Sequence, residues 1–201
     1  MKRFILMAVL CISTAALAQK ADAAFVVGGS FVSDTTGTVA LGLVSAPTNI
    51  KTDHHFFLEG EFGVRLLNAH VAALYVELPV AGIPSTTITE TISGTPVDHL
   101  STIFITPGVR VKILPASPIS PWASVGGGWA RYSLNDSGLT QNKPAVSYGG
   151  GLDFKTGLPL LAFRAEVRDF LTGNPNFDLA AFNTTGKHHN ILAGGGIVLR
   201  F

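Results

Sequence analysis

The chain has 201 residues, 13% of them charged and 47% hydrophobic, with 22 glycines and a formal net charge of +1. That is enough for one domain, and so balanced a charge gives no field to attract nucleic acid or an anionic membrane surface. The single cysteine, Cys11, lies in the first stretch discussed below. The chain beyond it therefore has no thiol chemistry, no disulfide and no cysteine metal site.

Lys2 and Arg3 form a short positive start, residues 4–17 are apolar, and Ala16-Leu17-Ala18 is a small-x-small cleavage site. Residues 1–18 read as a secretory signal peptide, with a second possible cut after Ala23. A retained anchor helix is the alternative, but the apolar run is short for a span of about 20 residues. Leu10 stands before Cys11 where a lipoprotein signal needs a small residue, so no lipid anchor is expected. Later apolar runs are all broken by Gly, Pro or a charge before about 18 residues, so a membrane-bound mature chain must cross as strands, closed on themselves.

Residues 24–33 predict a first strand, and 34–53 a long loop in which 39–44 could extend a hairpin. The second strand, 54–67, puts Phe56, Leu58, Phe62 and Val64 on one face and Phe57, Glu59, Glu61 and Arg65 on the other. After a short turn at 68–70, the third strand, 71–82, sets Leu74, Val76, Leu78 and Val80 against Tyr75 and Glu77. A long loop, 83–99, leads to the fourth strand, 100–114. There Ile103, Ile105, Val109, Val111 and Ile113 oppose Thr102, Thr106, Arg110 and Lys112, with Phe104 the apolar exception and Pro107 a missing ladder donor. A tight connection at 115–118 opens the fifth strand, 119–134, whose faces are ambiguous; the reading puts Trp122 and Tyr132 outward and Arg131 inward.

A long loop, 135–142, precedes the sixth strand, 143–155, where Val146, Tyr148, Leu152 and Phe154 oppose Ser147 and Asp153. A turn at 156–159 leads to the seventh strand, 160–170, with Leu161, Phe163, Ala165 and Val167 outward and Arg164, Glu166 and Arg168 inward. The last long loop, 171–187, precedes the eighth strand. In it Ile191, Ala193, Ile197, Leu199 and Phe201 form an apolar face opposite Asn190, Leu192, Val198 and Arg200.

Long and short connections alternate strictly. Strands of about 10 residues with that alternation predict an all-β, closed, eight-stranded antiparallel up-and-down transmembrane barrel over 24–201, in a Gram-negative-type outer membrane with both termini periplasmic. A secreted lipocalin-like barrel is the structural rival; it would turn its apolar face inward and its charges out.

On this pattern the chain resembles the small outer-membrane barrels of OmpA and OmpX type. Ile197, Leu199 and Phe201 resemble the C-terminal signal read by that family's barrel-assembly machinery. The resemblance implies outer-membrane lipid and that machinery as partners. No further C-terminal domain is read, so peptidoglycan binding is not implied.

Inward faces hold Glu59, Glu61, Arg65, Glu77, Arg110, Lys112, Asp153, Arg164, Glu166, Arg168 and Arg200. In so narrow an interior these should pair across strands as a polar plug; a narrow gated channel through the same network is the sharper alternative. Glycine triplets at 126–128, 149–151 and 194–196 precede no helix, so they suit strand curvature and close packing rather than phosphate binding. Trp122, Phe154, Phe163 and Phe201 would form one aromatic girdle, and Phe56, Tyr132 and Tyr148 the other. His54-His55 and His188-His189 fall at the outer ends of the two strands flanking the first; no spacing fixes a metal, and no metal or cofactor is expected. His99 and Ser101, with Asp136 as acid, resemble the His-x-Ser pair of outer-membrane lipid A deacylases, although a pair of polar rim residues is the plainer reading. The expectation is a monomer that is not an enzyme, with a structural or surface-interaction role through outer loops whose partner the sequence does not name.

Overall fold

The computed structural model describes residues 21–32, 35–41, 44–52, 55–89, 96–134, 138–158, 160–173 and 187–201. The strands in chain order are β1 (Ala21–Val32), β2 (Thr35–Leu41), β3 (Val44–Thr52), β4 (His55–Ala69), β5 (Ala72–Thr89), β6 (Pro96–Ile105), β7 (Gly108–Ile113), β8 (Ile119–Leu134), β9 (Thr140–Lys155), β10 (Leu161–Gly173) and β11 (Lys187–Arg200). β6 and β7 are two halves of one barrel strand, and β2 and β3 form a hairpin beyond the barrel wall. The remainder is a closed eight-stranded antiparallel barrel. It closes where β11 pairs with β1, from Asp22 opposite Arg200 to Val32 opposite Asn190. Among the described residues closure leaves the barrel itself without a free ladder edge, which is what a bilayer demands of strands.

The alternation along each strand sets inside from outside. On β4, Phe57, Glu59 and Glu61 are buried while Phe56, Leu58 and Phe62 are exposed. On β10, Arg164, Glu166 and Arg168 are buried and Phe163 and Val167 exposed. The outward faces together form an apolar belt that includes Phe25, Leu78, Ile103, Val111, Val125, Val146 and Ile197. A lipocalin-like barrel would have the reverse.

Several elements differ from expectation. β1 begins at Ala21 rather than 24. β5 runs on to Thr89 and β6 begins at Pro96, so much of the predicted 83–99 loop is ladder. The predicted 34–53 loop is likewise largely the β2–β3 hairpin. These stretches are polar but rich in Thr, whose branched Cβ suits a strand whether or not lipid faces it. The predicted fourth strand breaks at Thr106 and Pro107. Proline has no N–H to donate, but its carbonyl still accepts from Gly127 N at 3.0 Å.

The assignment of the fifth strand was inverted. Trp122 and Tyr132 point into the barrel, 4% and 2% exposed, and Arg131 points out; Trp129 is the outward aromatic of β8. Trp122 and Tyr132 are thus absent from the girdles, whereas Phe56, Tyr148, Phe154, Phe163 and Phe201 lie outward.

Candidate functional site: the filled interior and its two ends

Strand order sets the height of each inward side chain. Along β10 the inward residues run Arg164, Glu166, Arg168, Phe170, Thr172 from the short-turn end to the loop end. β7 and β6 repeat the order, with Lys112 and Arg110 below and Phe104 and Thr102 above. The interior is therefore stacked in two layers.

The lower layer is ionic, and Glu61 is its hub. Arg164 donates to Glu61 Oε2 at 2.8 Å, Arg168 donates to the same oxygen at 3.0 Å, and Arg110 bonds the other oxygen. Arg110 also donates to Asp22 Oδ1 at 2.6 Å. Arg164 grips Asp153 with two nitrogens, at 2.8 and 3.1 Å. Arg168 donates to Glu77 Oε1 at 2.9 Å and to Ser124 Oγ at 3.1 Å, and its Nε lies 3.2 Å from Glu59. Lys112 is held by Asp153 at 2.5 Å and lies 3.6 Å from Asp22. A guanidinium can serve several carboxylates because its donors fan out in a plane.

Aromatic faces complete the layer. The Trp122 ring lies 4.7 Å from the Arg164 guanidinium carbon and 5.7 Å from that of Arg168, and Tyr75 lies 4.8 Å from Arg110. Such contacts favour a desolvated cation. Glycine makes the room. Opposite Trp122 stands Gly151, where a Cβ would lie 2.8 Å from the indole.

Among the described residues, six acids (Asp22, Glu59, Glu61, Glu77, Asp153, Glu166) and four cations (Arg110, Lys112, Arg164, Arg168) are buried here. The surplus acid is deepest: both oxygens of Glu59 and both of Glu166 lack a hydrogen-bond partner. Glu59, Glu61 and Glu166 bring oxygens within 4.8 Å of one another, but the oxygens of Glu61 are already taken by the three arginines.

The upper layer is apolar. Phe57, Phe104, Phe170 and Leu192 are 0% exposed, packed with Val26, Ala81, Ile83, Ala130 and Ala145. Phe104 and Phe170 stack at 4.5 Å between centroids. Phe57 reaches across β1 and β11 because Gly28 and Gly194 stand there; a Cβ on either would lie 2.8 or 2.9 Å from its ring. Tyr132 caps the layer through a 2.6 Å hydrogen bond with Thr172 Oγ1.

Below the ionic layer the barrel opens, at the end bearing Ala21 and Phe201, into a cavity of about 670 Å³. Arg65 and Arg200 are placed here, half-buried at the mouth instead of within the ionic lattice, and Lys155 lies beside them. Arg200 donates to the Leu161 carbonyl at 3.5 Å. Ile197, Leu199 and Phe201 all face outward at this end, and Phe201 N donates to the Ala21 carbonyl at 2.8 Å.

At the loop end, Asp169 lies on the outer face of β10 and accepts from Tyr148 Oη at 2.6 Å; its Oδ2 is 2.7 Å from His189 Nδ1. His189 therefore engages an acid on the next strand. His55 is half-buried opposite Ser30. Ser101 Oγ donates to the Ser133 carbonyl at 3.4 Å. The side chain of His99, all of Asp136, His54 and the signal segment 1–20 lie outside the described residues.

Asp22 and Asp169 were not among the candidates. Asp22 was legible: it shares the period-two face of Ala24, Val26 and Gly28, but it stands in the possible cleavage site. Asp169 breaks the apolar outward run of β10, a signal visible once that face is known.

The architecture is that of the small eight-stranded outer-membrane barrels. The chain is similar in structure to the outer membrane protein OprG from Pseudomonas aeruginosa, with a TM-score of 0.62 and 11% identity over 91% of this chain and 96% of that one. It is also similar to Neisserial surface protein A, with a TM-score of 0.54 and 14% identity over 90% of this chain and 97% of that one. No protein-family description and no curated relative matches the chain in sequence.

Proposed function

We propose that this protein is an integral, monomeric barrel of a Gram-negative-type outer membrane, with both termini in the periplasm. In this reading it has a structural or surface-interaction role through its outer loops and is not an enzyme. The observation that carries the reading is the contrast between wall and lumen: an apolar belt faces outward while Phe57, Phe104 and Phe170 fill the space above the arginine lattice. A filled lumen leaves the loops as the surface on which to meet a partner. Lipid covers the belt, and the assembly machinery reads Ile197, Leu199 and Phe201.

Recovery in the outer-membrane fraction, as a band whose gel mobility shifts on heating, is the expected result. Release into the soluble periplasm would overturn it. Planar bilayers should show no steady conductance for the wild type; steps altered by Arg164→Ala would replace this reading with a gated channel. Incubation with lipid A should release no acyl chain; release that is lost in Ser101→Ala would replace it with a hydrolase. Cleavage after Ala18 keeps Asp22, partner of Arg110 and Lys112. The mature chain should therefore begin at Gln19 by intact mass, and a start at Ala24 would contradict this.

A further inference from the structure

We propose that the cavity at the Ala21–Phe201 end is a binding site for a phosphate-ester anion. At about 670 Å³ it lies within the ~300–1,000 Å³ typical of small-ligand pockets. Its lining carries Arg65, Lys112, Lys155 and Arg200 against the carboxylates of Asp22 and Asp153. Those two acids are already engaged: Asp22 accepts from Arg110 at 2.6 Å, and Asp153 accepts from Arg164 at 2.8 Å and holds Lys112 at 2.5 Å. Neither Arg65 nor Lys155 has a carboxylate within 4.0 Å among the described residues.

Charge is thus separated along the barrel axis. Glu59 and Glu166, whose oxygens accept no hydrogen bond, lie deep and do not line the cavity, while Arg65 and Lys155 do. Lys155, Arg200 and Lys112 line the same cavity, so an anion seated among them meets three cations. A guanidinium offers planar paired donors to phosphate oxygens, and an ammonium adds a point charge. Tyr75 and Ser120 also line the wall, although the Ser120 hydroxyl already donates to the Leu114 carbonyl at 2.9 Å. The rest of the wall is apolar (Pro115, Ala116, Leu160, Ala162), which suits an ester carrying a carbon chain, and a metal cation would meet like charge.

The chemistry fits either a free phosphate ester or the headgroup of an inner-leaflet phospholipid, and the test separates them. The full-length mature protein is placed in nanodiscs of phosphatidylcholine alone and titrated with glycerol 3-phosphate by calorimetry. In parallel, nanodiscs with added phosphatidylglycerol are examined by native mass spectrometry for retained lipid. Saturable binding in the first arm assigns a free ester; selective retention in the second assigns the lipid. In either case Lys155→Met and Arg65→Gln should each weaken binding about tenfold or more, while Lys143→Met near the loop end leaves it unchanged. Heat-shifted gel mobility checks that each variant is folded. Absence of binding in both arms overturns the proposal, as does binding that folded Lys155→Met and Arg65→Gln retain in full. Neither result bears on membrane location or on the loops.

Discussion

The two layers of the interior solve the same problem with opposite materials. Both fill the lumen of a narrow barrel and both exclude water. The ionic layer does so with long side chains whose donors and acceptors must match; the apolar layer does so with shape alone. Removing one partner from the first leaves buried charges uncompensated, which costs far more than the pair was worth. Removing a ring from the second leaves a cavity, whose cost depends on how far its neighbours relax. The ionic layer should therefore be brittle and the apolar layer forgiving.

The sharpest break of that contrast is Glu61→Ala. It removes the one carboxylate that Arg110, Arg164 and Arg168 share, leaving each with fewer acids, and unfolding in lipid vesicles by urea should show a loss within the ~3–5 kcal/mol expected for a broken buried pair. Phe104→Ala removes a ring stacked on Phe170 and should cost about 3–4 kcal/mol in the same assay. The double variant Phe104→Ala, Phe170→Ala sharpens the comparison further. If the apolar layer is the seal, ion conductance should rise in this variant; an unchanged silent recording would mean that the arginine lattice seals the lumen alone. A smaller effect is expected from Gly151→Ala, whose Cβ presses first on the Ala165 carbonyl and then on Trp122 and should cost about 1–3 kcal/mol by overpacking. The smallest should come from Asp169→Asn. Asp169 is buried, but its partner His189 is 40% exposed and an amide oxygen can still accept from Tyr148, so the loss should be about 1 kcal/mol.

The layers also differed in how legible they were. Charge alternating with Val, Leu or Phe along β4, β7 and β10 gave a face assignment for Glu59, Glu61, Arg110, Lys112, Arg164 and Arg168, because a charge on the lipid side would be prohibitive. The apolar layer was legible only in part. The charges on β4 and β7 put Phe57 and Phe104 on inward faces, but no single strand shows that they meet Phe170 and Leu192 in one layer. The interior was therefore expected to be a polar plug, although its upper half is apolar. On β8 the inward face carries no charge, and Trp122, Trp129 and Tyr132 compete for the outside.

The sequence by itself determined the period of two, the number of barrel strands and the alternation of long and short connections, because these follow from local chemistry: branched and aromatic residues favour strands, and glycine and proline punctuate them. Only the tertiary structure decided which way Trp122 and Tyr132 turn, since the space that admits the indole comes from Gly151 on the neighbouring strand. It alone decided that Asp22, 88 residues before Arg110 in the chain, is a member of the lattice. It also decided that Arg65 and Arg200 stop at the mouth of the cavity and do not enter the ion pairs deeper in. These outcomes depend on which strands close against which and at what register, and an isolated strand does not carry that information.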